Sequence, residues 1–324
     1  MHRHAGPLEV SAVGSGPTRR CSQGTGGRAR RRCQVGGNAD RLRRVATLRR
    51  LDNRVAVVTG SSRGIGRAMA MRLAAEGAAV VITGKSEHST EKLPGSIHSV
   101  AHEINAAGGR ALAVHLDVRR EEDVAAMMTR TVEAFGRLDI LVNNAGALWW
   151  KPVLETPLKR YDLMWQVNVR GSFVCAQQAL PHMLRNGWGH IVMCSPPIGT
   201  APNPGYVAYM TTKMGMTRLA IGIADEHRDD NIASNSLWPV TLIESFATIN
   251  HQVGDRSLWR SPDILSDALL EMVTTEPAQL SGRQLLDEPF LRERGWSQQR
   301  LDAYWLEGPP AQPVYIDGRS GSSM

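Results

Sequence analysis

The feature that most constrains how this 324-residue chain can fold lies between Val55 and Gly66. Val55-Ala-Val-Val-Thr59 is a short apolar run that passes directly into Gly60-Ser-Ser-Arg-Gly-Ile-Gly66. An apolar run ending in glycine reads as a strand buried on both faces. Residues 65–76 then carry Ile65, Met69 and Leu73 at fourfold spacing, one face of a helix. Strand, glycine turn and helix in this order are the context a dinucleotide site requires. Gly60 permits the tight turn, Gly64 lets backbone approach a pyrophosphate, and Gly66 allows the helix to pack closely on the strand. Phosphate would then sit on the helix N-terminus, where free N–H groups and the dipole favour an anion. The spacing is GxxxGxG rather than GxGxxG, and alone it is also compatible with a plain glycine turn.

The pattern continues along the chain. Strands are expected at 79–83, 111–116, 139–142, 190–194, 232–237 and 284–286. Helices are expected at 97–107, 121–135, 206–228 and 262–274, with a long helical stretch from about Pro157 to Arg185. Strands alternating with helices mean βαβ units and one mostly parallel sheet covered on both faces. The fold class is therefore α/β, a doubly wound Rossmann-like sheet in a single domain over residues 51–324. No internal repeat appears.

Hydrophobic residues make up 42% and charged residues 21%, enough for a sizeable core. No run approaches the roughly 18 apolar residues of a membrane helix. The net charge of +7 is uneven. Residues 1–54 hold 13 arginines against Glu9, Asp40 and Asp52, while the remaining 270 residues hold 25 basic and 28 acidic groups. The body is slightly acidic, which argues against a nucleic-acid partner. Residues 1–50 are rich in Gly, Arg and Ser without hydrophobic periodicity, and are read as a disordered tail. The tail has no apolar h-region, so it is not a secretory signal. An Arg-rich, acid-poor tail is also compatible with an organelle transit peptide, and Arg28, Arg30, Arg31 and Arg32 with a nucleic-acid contact. Pro7, Pro17 and the glycines spoil a transit helix. The simpler reading is a translation start placed too early, with the protein proper beginning near Val45 or Leu51, in the cytoplasm. Cys21, Cys33, Cys175 and Cys194 fit neither a disulfide scaffold nor a zinc site. His98 and His102 are spaced for a metal but lack a third ligand, so no metal is expected.

Two further motifs follow the glycine turn. Asn143-Asn-Ala-Gly146 comes directly after the fourth strand, and Tyr209-Met-Thr-Thr-Lys213 lies on a later helix. Together, in this order, the three resemble the short-chain dehydrogenase/reductase superfamily over residues 53–287. Ser195-Pro-Pro197, Lys92-Leu-Pro-Gly-Ser-Ile97, Trp238-Pro239 and Asp287-Glu288 are similar to a subgroup typified by hydroxysteroid dehydrogenase-like protein 2. The resemblance implies about seven strands and an oxidoreductase with a nicotinamide cofactor. It implies that Gly60, Ser61, Ser62, Arg63, Gly64, Ile65 and Gly66 cradle the cofactor, with Asp117 and Val118 at adenine and Asn144, Ala145, Gly146 and Lys213 lining the rest. It also makes Tyr209 the group that exchanges a proton with substrate oxygen, Lys213 its partner and the holder of the nicotinamide ribose, and Asn168 the anchor of a water relay. Tyr209 and Lys213 share a helix face, and a neighbouring ammonium is expected to lower the phenol's pKa.

The second strand ends Thr83-Gly-Lys85 with no acid for a ribose 2′-hydroxyl. Arg63 and Lys85 instead favour the 2′-phosphate of NADP, with NAD as the alternative. Relatives often carry a serine 13 residues before the tyrosine; here that position is Pro196, and Ser195 is expected to face the other way. Trp149-Trp150 would either line an apolar substrate mouth or pack under a loop. Met210, Met214 and Met216 read as core or interface filler. The leading reading is an NADP(H)-dependent enzyme, a homo-oligomer acting on a small hydrophobic alcohol/carbonyl pair. A non-catalytic dinucleotide sensor or scaffold, motivated by Pro196, is the alternative.

Overall fold

A computed structural model describes residues 49–91, 94–199 and 204–310. The expectations for residues 1–48, including Cys21 and Cys33, for Lys92 and Leu93, and for the Gly/Ser-rich end lie outside the described residues. Arg49 and Arg50, read as the end of the tail, are bonded into the domain: Arg50 pairs with Glu271 at 2.8 Å, and Leu51 is buried.

Seven parallel strands form one sheet: β1 (Val55–Val58), β2 (Ala79–Gly84), β3 (Arg110–His115), β4 (Ile140–Asn143), β5 (Gly189–Cys194), β6 (Ile232–Trp238) and β9 (Gln284–Leu286). Their order is β3-β2-β1-β4-β5-β6-β9. Alternate residues of one strand feed different cores. Ala56 and Val58 of β1 join a cluster with Met69, Leu73, Ile97, Leu269 and Phe290. Val57 joins another with Val124, Met127, Val174, Met183 and Met216. A strand buried on both faces needs continuous apolar sequence, and that made these strands legible. The chain order reverses between β1 and β4, and the carboxyl ends of those strands flank the crevice where open α/β sheets bind ligands.

Helices cover both faces: α1 (Gly64–Ala75), α2 (Ile97–Ala106), α3 (Glu121–Phe135), α4 (Leu158–Met164), α5 (Gly171–Asn186), α6 (Val207–Glu226), α7 (Phe246–Asn250), α8 (Asp263–Val273), α9 (Asp287–Glu293) and α10 (Gln298–Asp302). α2 starts at a reciprocal Ser96–Ser99 capping box. Three acids open α3, and Gly136, at φ +79°, closes it in the left-handed region. Among the described residues no helix is long and apolar enough to cross a membrane.

Three features differ from the sequence reading. The helical stretch from 157 to 185 contains a π-helical segment, Trp165–Arg170, between α4 and α5. Its added residue carries Asn168 into the interior, fully buried. Asp139, read as the first residue of a strand, precedes β4, and its buried carboxylate accepts from the Val55 N–H at 2.9 Å. The segment after β6 also forms a small second sheet, β7 (Leu242–Ile243) with β8 (Trp259–Arg260), plus α7. Two-residue strands carry no detectable period, so pattern could not find them.

Candidate active site

The glycine turn leaves β1 at Thr59. Gly60 adopts φ +67°, and a Cβ there would lie 3.0 Å from Ala145 Cα. Gly66 is more confined: its Cβ would fall 2.4 Å from both Asn144 Nδ2 and Gly60 O. Gly64, at φ +56°, faces open space with nothing within 4 Å. α1 begins there without a side-chain cap, so its first N–H groups remain for an anion. Asn144 binds the turn from β4, its Nδ2 donating to the Thr59 and Gly60 carbonyls at 2.9 and 3.1 Å. Thr59 Oγ1 accepts from the Asn144 and Ala145 N–H groups at 3.0 Å each. Ser61 Oγ donates to Val58 O at 2.7 Å and accepts from Thr83 N–H at 2.9 Å, stitching β1 to β2. Ser62 is buried beside it, and Ile65 packs against the core under α1. The residues present thus fit a dinucleotide: an open glycine, an uncapped helix start and two closely packed glycines.

Asp117, expected to border adenine, follows β3. Arg119 grips it at 2.9 Å through Nε and 2.5 Å through Nη2. That bond, aided by the charge of nearby Lys85, holds the Asp117 carboxyl down at about 2. Arg119 was not singled out from sequence. The tight Asp-Val-Arg turn places its charge, and no periodic signal marks it. Val118 is buried, packed where a Cβ on Gly171 would meet it at 2.9 Å. Lys85 is exposed at the end of β2. Arg63 is partly turned away from that end. Its guanidinium donates to the Pro94 and Gly95 carbonyls at 3.2 and 2.8 Å and lies 5.8 Å from the Phe246 ring. The subgroup-like residues before α2 therefore form the back of the glycine turn. Burial lowers the Arg63 pKa from its usual value.

Tyr209, Lys213 and Asn168 come together below this turn. Asn168 Nδ2 donates to Ala147 O at 2.9 Å and to Thr212 Oγ1 at 2.8 Å, while its Oδ1 accepts from Ala147 N–H at 2.8 Å. Thr212 Oγ1 donates to Tyr209 O at 2.7 Å. Lys213 Nζ donates to Cys194 O at 2.9 Å and lies 5.8 Å from the Tyr209 ring and 5.5 Å from the Trp238 ring. A Cβ on Gly146 would lie 3.6 Å from Asn168 Oδ1 and 3.7 Å from Lys213 Nζ. Lys213 is 4% exposed, and burial lowers its pKa to about 8 against the opposing pull of Cys194. Burial also pushes the Cys194 thiol up to about 11. The expected lowering of the Tyr209 pKa is not found: burial first, then Cys194, raises it above its ordinary value. Desolvation disfavours the phenolate, and the Lys213 ammonium, 5.8 Å from the ring, does not offset it.

Around Tyr209 the other expectations separate. Ser195 is fully buried; its Oγ lies 2.8 Å from Thr217 Oγ1, whose one proton has the Pro196 carbonyl at 2.6 Å as its shorter contact. Ser195 thus faces the core, as strand alternation requires. The tryptophan pair divides its roles. Trp149 packs under its own loop, donating to Glu155 O at 3.3 Å with Arg160 4.9 Å over its ring. Trp150 meets Tyr209 edge to face at 6.1 Å, Tyr206 at 5.6 Å and His251 at 4.9 Å. Met216 is buried and Met210 and Met214 half-buried. The segment after β6 is pinned by the residues quoted for the subgroup. Asp287 Oδ1 accepts from Val240 N–H at 2.9 Å. Glu288 pairs with the buried Arg260 at 2.6 Å and with Arg292 at 2.7 Å. His98 lies 3.9 Å from Glu87. Among the described residues no group of three or more His, Cys, Asp or Glu side chains could hold a metal.

The short-chain dehydrogenase family profile matches residues 54–250, and the chain belongs to that family of oxidoreductases, which bind NAD or NADP. It is 38% identical over 263 residues to hydroxysteroid dehydrogenase-like protein 2 of Xenopus tropicalis, covering 80% of this chain and 62% of that protein. The chain thus spans about six-tenths of the length of that relative. A solved short-chain dehydrogenase of Mycobacterium thermoresistibile shares 41% identity at a TM-score of 0.74, covering 82% of this chain and 94% of that one. A metagenomic short-chain oxidoreductase solved in complex with NADP shares 31% identity at a TM-score of 0.61, covering 73% and 97%.

Proposed function

We propose that the protein is an NADP(H)-dependent oxidoreductase that interconverts a small hydrophobic alcohol and its carbonyl compound, with Tyr209 as general acid/base. The observation that carries this reading is the convergence of Tyr209, Lys213, Asn168 and Gly146 beside an open, uncapped glycine turn. Bound on that turn, a nicotinamide dinucleotide supplies or accepts the hydride. Gly60 to Gly66 and the α1 N-terminus hold the pyrophosphate, Asp117 and Val118 border adenine, and Asn144, Ala145, Gly146 and Lys213 line the nicotinamide end. Lys85, with no acid at the end of β2, supports NADP over NAD, and the NADP complex of the metagenomic relative agrees with that choice.

Burial keeps the Tyr209 phenol protonated at neutral pH, so the free protein is poised to donate a proton to a carbonyl oxygen. Lys213, buried and charged below about pH 8, holds the ribose and attracts the phenolate formed when that proton leaves. Asn168 fixes the loop after β4 against α6, which keeps these distances. Trp150 and Tyr206 give the acceptor site apolar walls. A homo-oligomer is supported by Phe173 and Leu184, exposed on one face of α5.

The reading is tested by following NADPH absorbance with aliphatic, isoprenoid and aromatic ketones and aldehydes. Turnover of several, better for the more apolar, is expected. NADPH binding with no turnover of any would instead support the sensor or scaffold reading.

A further inference from the structure

A carbonyl oxygen gathering negative charge during reduction has two lone pairs, and Tyr209 can serve one of them. The donors surrounding Tyr209 can be counted. Both Asn168 N–H groups are spent, on Ala147 O and Thr212 Oγ1. Lys213 donates one of its three N–H groups to Cys194 O, and the reading above gives the others to the ribose. Ser195 is buried and bound to Thr217, and Pro196 has no N–H. Trp150 is different. Its Nε1–H is buried and has no hydrogen-bond partner among the described residues, and its ring meets Tyr209 edge to face. A buried donor left unpaired costs free energy, and its persistence asks for an explanation. The indole N–H is a donor only, so what satisfies it must be an acceptor, as a carbonyl oxygen is. Its surroundings are aromatic on three sides, and an N–H there meets a developing negative charge without competing water.

We infer that the Trp150 indole N–H is the second hydrogen-bond donor to the substrate carbonyl oxygen, beside the Tyr209 hydroxyl. The assignment rests on the oxidoreductase reading above and adds a catalytic residue to it. His251, exposed just past the end of α7, has its ring 4.9 Å from the indole. In the reducing direction hydride passes from NADPH to the carbonyl carbon and the Tyr209 proton passes to its oxygen, giving alcohol and NADP⁺. Trp150 transfers no proton; it stabilises the charge that builds before Tyr209 delivers one.

The experiment compares the parent enzyme with Trp150→Phe, Trp150→His, Tyr206→Phe and Tyr209→Phe, using NADPH with decanal and 2-decanone as probes. NADPH affinity is measured by fluorescence and folding by thermal melting. Trp150→Phe keeps an aromatic ring and deletes the N–H. It should lower kcat by about 100-fold or more, as loss of one such donor does, with NADPH affinity within about twofold of the parent. Trp150→His restores a donor and should recover part of the loss. Turnover by Trp150→Phe equal to the parent, while Tyr209→Phe is inactive, would overturn the inference and leave the reading intact. So would a loss confined to Tyr206→Phe, which would give the bond to that hydroxyl. A fall in kcat matched by falls in NADPH affinity and melting temperature, without rescue by histidine, would make Trp150 a packing residue and overturn the inference equally. A parent enzyme that binds NADPH yet reduces neither probe, nor any carbonyl of the wider panel, would overturn the reading and the inference with it.

Discussion

Burial moves two ionisable groups of α6 in opposite senses, the Tyr209 phenol upward and the Lys213 ammonium down to about 8. The consequence can be measured without a substrate. Lys213 is charged below pH 8 and loses its proton above it, so NADPH affinity in the parent should be level below pH 8. Above it, affinity should weaken by up to about tenfold per pH unit. Lys213→Met should bind more weakly and show no such break. Calorimetric titrations at several pH values check both. Lys85 is exposed, close enough to Asp117 for its charge to be felt there, so its contribution depends on the extra phosphate itself. Lys85→Asp should shift the NADPH-to-NADH affinity ratio toward NADH by about tenfold to a hundredfold, the range of one charge-assisted hydrogen bond. Tighter NADH binding by the unmutated protein would contradict the assignment.

At the scale of elements, the glycine turn is held in shape by its neighbours. The loop before α2 packs on it so closely that a Cβ on Gly95, at φ +94°, would sit 2.6 Å from Ser62 O. Gly108 has φ +83° but nothing within 4 Å. Gly95→Ala and Gly108→Ala therefore share the backbone strain, of about 1–3 kcal/mol, and only the first also deforms the turn. Urea unfolding should show both destabilised, while NADPH affinity should fall in Gly95→Ala alone. The parallel strands and their helices were legible in the sequence because two-faced burial and fourfold spacing leave strong patterns. So were the glycine turn, Tyr209 and Lys213, whose spacing carries the signal. What escaped was set by contacts distant in sequence. The π-helical turn around Asn168 follows from its bonds to Ala147 and Thr212, and the grip of Arg119 on Asp117 has no period at all. Asp287 and Glu288 were visible as residues, but their work of pinning Val240 and Arg260 appears only once β9 lies beside β6.

For the whole molecule, two buried groups, His190 and Asp287, set opposing responses to acid. His190, against Thr275 O at 3.0 Å, has its pKa lowered by burial to about 4. The unfolded chain takes up that proton first, so stability from this group is complete above pH 6.5 and is lost as pH falls towards 4. Asp287 has its pKa raised by burial to about 6. The folded chain takes up that proton first, so this group adds stability as pH falls from 6 towards 3.8. Each amounts to about 3 kcal/mol at 1.4 kcal/mol per unit, and between pH 6 and 4 they largely cancel. Relative to the parent, His190→Met should gain stability on acidification through that window and Asp287→Asn should lose it, as read by urea unfolding at several pH values. The central claim, that a dinucleotide on the glycine turn works with Tyr209 as the proton donor, is tested most directly by Tyr209→Phe. NADPH affinity and the rate of NADPH oxidation are measured on the same preparation, with the best carbonyl substrate of the panel. The account predicts affinity within about twofold of the parent, because Lys213 and the turn are untouched, and turnover reduced by about 100-fold or more. Undiminished turnover in Tyr209→Phe would contradict it.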